Sequence, residues 1–423
     1  MRKVLIWGRM VPQDSLGVAE ILLKNKIASN TGNLLFIYGA ARATMTEDTQ
    51  LIPFYSEDVE RLLSNPAALE GVESAIIPLA NAFRPDFMPK LEQLTRFLRA
   101  AKFPCCILSV GMQARTEAEL ERGFPFDAKV RAFVSAALDK SARVGVRGEY
   151  TAQYLRRLGF GADSVRAIGC PAAFANGPVS RSVRALPAEK LARAAVSARP
   201  GLPAPTAEWI GRGVREIGDV QFIGQDLYEL WAIYFGHRRS RHTREITPDF
   251  YPVSPRDAQW REGGLRAFLR ATDWIARMQD YDLAFGSRIH GNMAAMLAGR
   301  PGIVFASDLR VRELAEFHGI PCVDSAEKAD SFRELYARQD FGAFERMYAQ
   351  RFENFVDFLN ENGVPHIYDP DAPKEAPIDR AIAAAAPPPE LYSGMPVPLS
   401  DRLRKLEMYR MQLRYKIQKR RLK

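Results

Sequence analysis

The chain has 423 residues, 47% of them hydrophobic and 26% charged, with 29 Gly and 28 Pro. This is ordinary globular composition: it excludes collagen, a coiled coil and wholesale disorder, and the length leaves room for two cores. The formal charge of +9 is concentrated at one end, because residues 401–423 hold ten basic residues against two acidic ones and so carry +8, leaving +1 for the first 400 residues.

In chain order, residues 3–7 predict a buried strand and 33–44 a helix. Residues 74–79 predict a second strand, with a helix over 88–101. A third strand falls at 104–110 and a helix at 126–140, then a strand at 143–147, a helix at 149–159 and a strand at 164–169. Short apolar runs bounded by Gly and Pro, alternating with helical patterns, are the grammar of βαβ units on a parallel sheet. The second half repeats it: strands at 192–198, 220–224, 282–286, 302–306 and 320–323, and helices at 206–217, 263–278, 290–299, 308–318 and 341–362. The fold class expected is therefore α/β, with two doubly wound domains facing a cleft, residues 1–180 and 190–368. Residues 370–398 hold eight prolines and an Ala run, so 369–399 reads as a semi-rigid linker. Residues 400–423 read as a basic helix with Leu403, Leu406, Tyr409, Leu413 and Ile417 near one face.

No run of about 20 apolar residues exists to span a bilayer; the longest, 34–41, is far too short. The run Val4 to Trp7 is also too short for the core of a signal peptide. Cys105, Cys106, Cys170 and Cys322 form no Cys-x-x-Cys pair, so a reducing cytosol is the compartment expected.

In doubly wound sheets, ligands sit outside the carboxyl ends of the strands, so loops that directly follow strands are where chemistry is sought. The sharpest is Ser287-Arg288-Ile289-His290-Gly291, followed by Asn292. It leaves a strand and opens a helix, whose free N–H groups favour an anion. Arg288 adds two-point recognition of phosphate or carboxylate, and His290 a proton mobile near neutral pH. A polar turn whose histidine caps its own loop fits the same pattern. Arg147, in Val146-Arg147-Gly148-Glu149, sits over a second strand end, where a salt bridge to Glu149 is the plain alternative. Weaker glycine loops are Asn30-Thr31-Gly32-Asn33 and Ser109-Val110-Gly111-Met112-Gln113. Neither is a Gly-x-Gly-x-x-Gly or a P-loop. The stretch from Gly236 to Arg244 has two histidines but no further ligand type close by, so no metal site is expected. Cys170, in Gly169-Cys170-Pro171, reads as a small buried residue at a turn.

Arg147 through Gly159, Ile168-Gly169-Cys170-Pro171, and Gly286 to Gly291 with Gly299-Arg300-Pro301 together resemble the polysaccharide pyruvyl transferase family, over roughly residues 4–325. The resemblance implies a GT-B-like pair of Rossmann-type domains. It also implies transfer of a pyruvyl group from phosphoenolpyruvate, as donor substrate, onto two hydroxyls of a sugar as a cyclic ketal. It further implies that Arg147, Arg288 and His290 hold the donor. Ser287, Gly291, Asn292, Asn30, Gly32, Asn33, Gly111 and Gln113 are the accompanying substrate-binding candidates. Relatives often carry an acid where this chain has Asn33. The scheme calls for no cofactor and no metal. A GT-B glycosyltransferase using a nucleotide sugar, and a non-catalytic envelope-assembly protein of the same fold, are the alternatives. The tail's charge suits an anionic membrane surface, and hence a peripheral place on the inner membrane face, with a solvated tail or a helix that pairs with another subunit or protein as the equal alternative; nucleic acid is not expected as a partner, because the body is nearly neutral.

Overall fold

In the computed structural model, the parallel strands Thr49–Phe54, Arg2–Trp7, Val72–Pro78 and Cys105–Leu108 form the first sheet in that order. The structure describes residues 1–236, 247–252, 257–324, 326–369 and 375–421. The pair Val144–Val146 and Val165–Ala167 extends this sheet through a parallel bridge from Val110 to Val146. The second sheet runs Cys322–Val323, Gly302–Phe305, Leu283–Gly286, Arg193–Ser197, Asp219–Ile223, Leu265–Ala267 and Leu391–Tyr392, and only the last strand is antiparallel. The strands are runs such as Val-Leu-Ile-Trp and Gly-Ile-Val-Phe, buried on both faces as a helix-covered parallel sheet requires. The two doubly wound domains face each other across a cleft, a GT-B-like arrangement.

Four differences from the sequence expectations bear on how the domains are built. Residues 263–278, read as one helix, are a strand Leu265–Ala267 followed by a helix Ala271–Arg277; the Leu-Arg-Ala run is too short to show a period of two. The strand Thr49–Phe54 was missed, because Pro53 sits inside it, at the sheet edge where proline is tolerated. The helix Ala343–Glu361, expected in the second domain, packs on the first. Phe355 stacks on Phe174, Asn362 accepts from the Arg143 N–H, and Glu361 pairs with Arg143 and Arg166.

The expected linker is also partly built into the body. Its residues 370–374 lie outside the described residues, but Pro377–Ala384 is a helix with Pro377 in its first turn, where proline costs no hydrogen bond. Ile378, Ile382 and Leu391 are buried, and Asp379 accepts from Tyr38 and Arg42. Proline richness counted against a core, but the prolines flank the few apolar residues that pack. The C-terminal helix Leu399–Arg421 follows. Its base docks on the helix Leu227–Phe235: Tyr234 donates to Asp401 at 2.5 Å, Lys405 donates to the Phe235 carbonyl, and the Trp231 and Tyr409 rings meet at 6.2 Å. Arg402 and Arg410 fall among the apolar positions, so the two kinds of residue are not segregated on this helix.

Candidate active site

A cleft of about 300 Å³ lies where the strand ends of both sheets converge. The first domain contributes Trp7, Gly8, Tyr55, residues 78–82 and Arg147, each at or just past a strand's carboxyl end. The second contributes Gln225, Asp226, Ser287, Arg288, Ile289, His290, Arg310 and Val311, by the same rule.

The turn that carries Arg288 and His290 depends on Gly286, whose φ is +140°. A Cβ there would lie 2.1 Å from the Ser197 carbonyl, so only glycine lets the chain fold back and donate from the Arg288 N–H to that oxygen. Ile289 then starts a helix, and His290 lies in its first turn. The His290 ring rests on Gly32: a Cβ at that glycine would meet Nδ1 at 2.5 Å. Its Nε2 lies 3.9 Å from the Cys170 sulfur. Burial, and then the charges of Arg147, Arg310 and Arg288, push its pKa down to about 3. His290 is therefore neutral, and an anion bound beside the three arginines would raise its proton affinity. The sequence reading had placed it in the neutral range.

Arg147 is 2% exposed. Its Nε donates to the Ser109 carbonyl at 3.4 Å, and among the described residues no carboxylate pairs with it; Glu149 pairs instead with Arg156. Burial lowers its pKa to about 10, which still leaves it charged. Ser109 has φ +61°, a strained value for a residue with a side chain, at the point where the strand end meets Arg147. Arg288 is held differently: it pairs with Asp226, whose other oxygen accepts from Asn30 at 2.9 Å. Asn30 in turn accepts from the Gly32 N–H at 2.7 Å. Two backbone bonds, Thr31 N–H to Gln225 and Leu227 N–H to Ser29, stitch the domains together beneath the cleft.

The remaining candidates fall into three groups. Ser287, Asn30 and Asn33 line the cleft, with Ser287 accepting from the Arg199 N–H and Asn33 donating to the Ile27 and Ala28 carbonyls. Gly32 and Gly111 lie under the His290 ring and the Arg147 stem. Gly291, Asn292 and Gln113 do not line the cleft. Gly291 packs on Ser197, Asn292 is fully buried and ties the turn through the Arg288 carbonyl, and Gln113 is exposed, accepting from Asn81. Cys170 is buried with its thiol pushed up to about 11, as a packing residue should be. The two histidines between Gly236 and Arg244, His237 and His242, lie outside the described residues.

The pattern that decides the family runs through this site. The family model for polysaccharide pyruvyl transferase matches residues 81–308, more than half of the chain. The chain belongs to the polysaccharide pyruvyl transferase family. The protein is thus a transferase. No curated protein matches this chain. Solved structures that it is similar to include the S. aureus MnaA-UDP co-structure, at 11% identity over 86% of this chain and 99% of that chain with a TM-score of 0.43. The UDP-GlcNAc 2-epimerase from Methanocaldococcus jannaschii is another, at 9% identity over 85% and 99% with a TM-score of 0.44. A third is that from Neisseria meningitidis bound to UDP-GlcNAc, at 10% over 86% and 100% with 0.41.

Sequence reading of this pyruvyl transferase family member missed three cleft residues. Arg310 opens the helix Leu309–His318 after the strand Gly302–Phe305, so the rule that found Arg288 also applies to it. Asp226 carried a signal in Asp226-Leu-Tyr-Glu229, the spacing of a capping box, which the structure shows. Arg84 follows a strand of three residues, Asn81–Phe83, too short to register as one.

Proposed function

We propose that the cleft binds phosphoenolpyruvate and transfers its three-carbon unit to two hydroxyls of a saccharide in a cell-surface polysaccharide or its precursor, as a cyclic ketal, with release of phosphate. The observation that carries this reading is Arg147: a buried, charged guanidinium with no carboxylate in ion-pair contact among the described residues, set among Arg288, Arg310 and a neutral histidine. Leaving a cation so placed is costly unless an anion arrives to pair with it. Phosphoenolpyruvate brings two anionic groups about one carbon apart, and planar guanidinium forks match both.

The residues then divide the work. Arg147, Arg288 and Arg310 fix the donor's phosphate and carboxylate, which is positioning. The donor's methylene carbon gains a proton, and one hydroxyl adds to the carbon that bears the phosphate. Phosphate leaves with its bonding electron pair, and the second hydroxyl closes the ring. The two hydroxyls give up one proton each; one offsets the proton taken by the methylene and the other departs with the phosphate. His290, neutral when the acceptor arrives, accepts a hydroxyl proton with its affinity raised by the donor's anion, and as a histidinium beside the leaving group it can return it. No cofactor enters this scheme. A thermal-shift comparison of phosphoenolpyruvate, inorganic phosphate and UDP tests it: the reading expects the largest rise with phosphoenolpyruvate, and a rise with UDP alone overturns it.

The C-terminal helix supports a peripheral membrane location. Among the described residues no helix is long and apolar enough to cross a membrane. The docked helix leaves Leu403, Leu406 and Met411 exposed at 50%, 62% and 64%, on a segment carrying +8. Each basic residue at an anionic surface contributes about 1 kcal/mol. Sedimentation with anionic vesicles at low salt should take down the full chain and leave a chain ending at Pro398 in solution; both remaining in the supernatant contradicts the reading.

A further inference from the structure

Beyond the donor's arginines, the first-domain wall of the cleft carries chemistry that donor binding does not use. It is aromatic, with Trp7, Tyr55 and Phe87 all lining the cleft and the Trp7 and Tyr55 rings 4.6 Å apart. It is also cationic. Arg84 lines the same wall with its guanidinium 5.8 Å from the Phe87 ring. Among the described residues its buried Nε has no hydrogen-bond partner and its one carboxylate neighbour is Asp86, 3.5 Å away with 82% of its side chain in solvent. Lys90 donates to the Tyr55 hydroxyl at 3.3 Å and sits over the Tyr55 and Phe87 rings at 5.0 and 5.7 Å.

The chain places this wall apart from the second-domain side of the cleft. Arg84 and Phe87 follow the first-domain strand Asn81–Phe83, whereas Arg288, His290 and Arg310 come from the strand ends of the second domain. A donor held at Arg288 and His290 leaves Arg84 with only the solvent-exposed Asp86 as a counter-ion among the described residues. Aromatic faces and a partly desolvated guanidinium side by side make a site for a ring bearing a negative charge: sugar C–H groups pack on the rings, and the fork of Arg84 takes a phosphate or carboxylate oxygen.

We propose that this wall is an acceptor subsite selective for an anionic saccharide, with Arg84 reading the charge and Tyr55 and Phe87 the ring. The inference rests on the pyruvyl-transfer reading only in naming the occupant an acceptor; the preference for an anionic sugar is a property of the wall itself. Phosphate and carboxylate share the chemistry Arg84 recognises, and separate probes distinguish them.

The experiment is a titration of the full chain, with and without phosphoenolpyruvate, by three probes: a hexose 1-phosphate, a hexuronate and a neutral methyl hexoside, read by ligand-detected NMR. One charged probe should bind about tenfold more tightly than the neutral one, the scale of a charge-assisted contact. Which charged probe it is names the source of the anion. Arg84→Gln should abolish that preference and Arg84→Lys should keep part of it, while phosphoenolpyruvate affinity by calorimetry and the melting temperature of both variants stay unchanged. Equal binding of the three probes overturns the proposal, as does binding of none of them. A loss of phosphoenolpyruvate affinity in Arg84→Gln overturns it too, because Arg84 then belongs to the donor. If wild-type protein fails to bind phosphoenolpyruvate but keeps the Arg84-dependent preference, the transfer reading falls and the anionic-sugar subsite stands.

Discussion

Arg147 and Arg288 occupy matching places, each just past the carboxyl end of a parallel strand in its own domain, yet they are held in opposite ways. Arg288 is neutralised by Asp226, which also grips Asn30 across the domain boundary. Arg147 is buried with a carbonyl as its side chain's hydrogen-bond partner, and among the described residues no carboxylate comes within ion-pair distance, although Glu313 and Asp308 act on it from farther off. The first is a side chain kept in position by a partner that an incoming anion must share. The second is a charge left unpaired, whose burial the fold tolerates at a cost in stability. Equal strand-end positions thus produce one arginine built for orientation and one built to demand an anion.

Removing the unpaired charge breaks the comparison most sharply. Arg147→Met should lower transfer with phosphoenolpyruvate about a thousandfold or more in kcat/KM, the scale on which one well-placed electrostatic group matters, while its melting temperature holds or rises, because a buried unpaired cation is lost. A large drop in melting temperature would show that Arg147 is structural. His290→Asn should keep donor affinity within a few-fold and lower kcat about a hundredfold; a wild-type kcat removes His290 from proton transfer. Arg288→Lys should weaken donor binding about tenfold, since an ammonium cannot serve Asp226 and a planar anion at once. Calorimetry with unchanged affinity would place the donor elsewhere.

The smallest effect is on the pH dependence of stability. His290 and His318 both have pKa values pushed down to about 3, chiefly by burial, from an ordinary 6.5. His318 accepts from the Cys170 N–H at 2.8 Å, which requires an unprotonated Nε2. Between pH 6.5 and 3 the unfolded chain takes up protons on these rings and the folded chain does not. Their contribution is therefore intact above pH 6.5 and lost as the pH falls through that window. Glu313, pushed up to about 7 by burial, has the opposite sign: the folded chain keeps its proton between pH 4.5 and 7, and that contribution is lost as the pH rises through 7. Urea unfolding from pH 7 to 4 should show a shallower slope in His290→Asn than in wild type; identical slopes would mean His290 titrates normally.

What the sequence made legible follows from what each signal depends on. Strands such as Arg2–Trp7 and Gly302–Phe305 stood out because burial on both faces demands unbroken apolar runs. Arg288 and His290 stood out because a strand, a glycine turn and a helix start are consecutive in the chain. Asp226 meets Arg288 from 62 residues away, and no local pattern records that pairing. Arg84 and Arg310 were hidden because an arginine at a helix start is common, and only the fold shows which of them face the cleft. The packing of Pro377–Ala384 was obscured by composition, since eight prolines outweigh three buried apolar residues in any average yet do not prevent them from packing.

The central claim is that the buried Arg147 charge exists to bind the donor. Calorimetric titration of phosphoenolpyruvate into wild-type protein and into Arg147→Met, with both melting curves recorded, tests it most directly. The account predicts measurable binding to wild type, none to the variant, and a variant at least as heat-stable as wild type. Equal binding to both proteins, or a variant that loses binding only because it melts early, would contradict it.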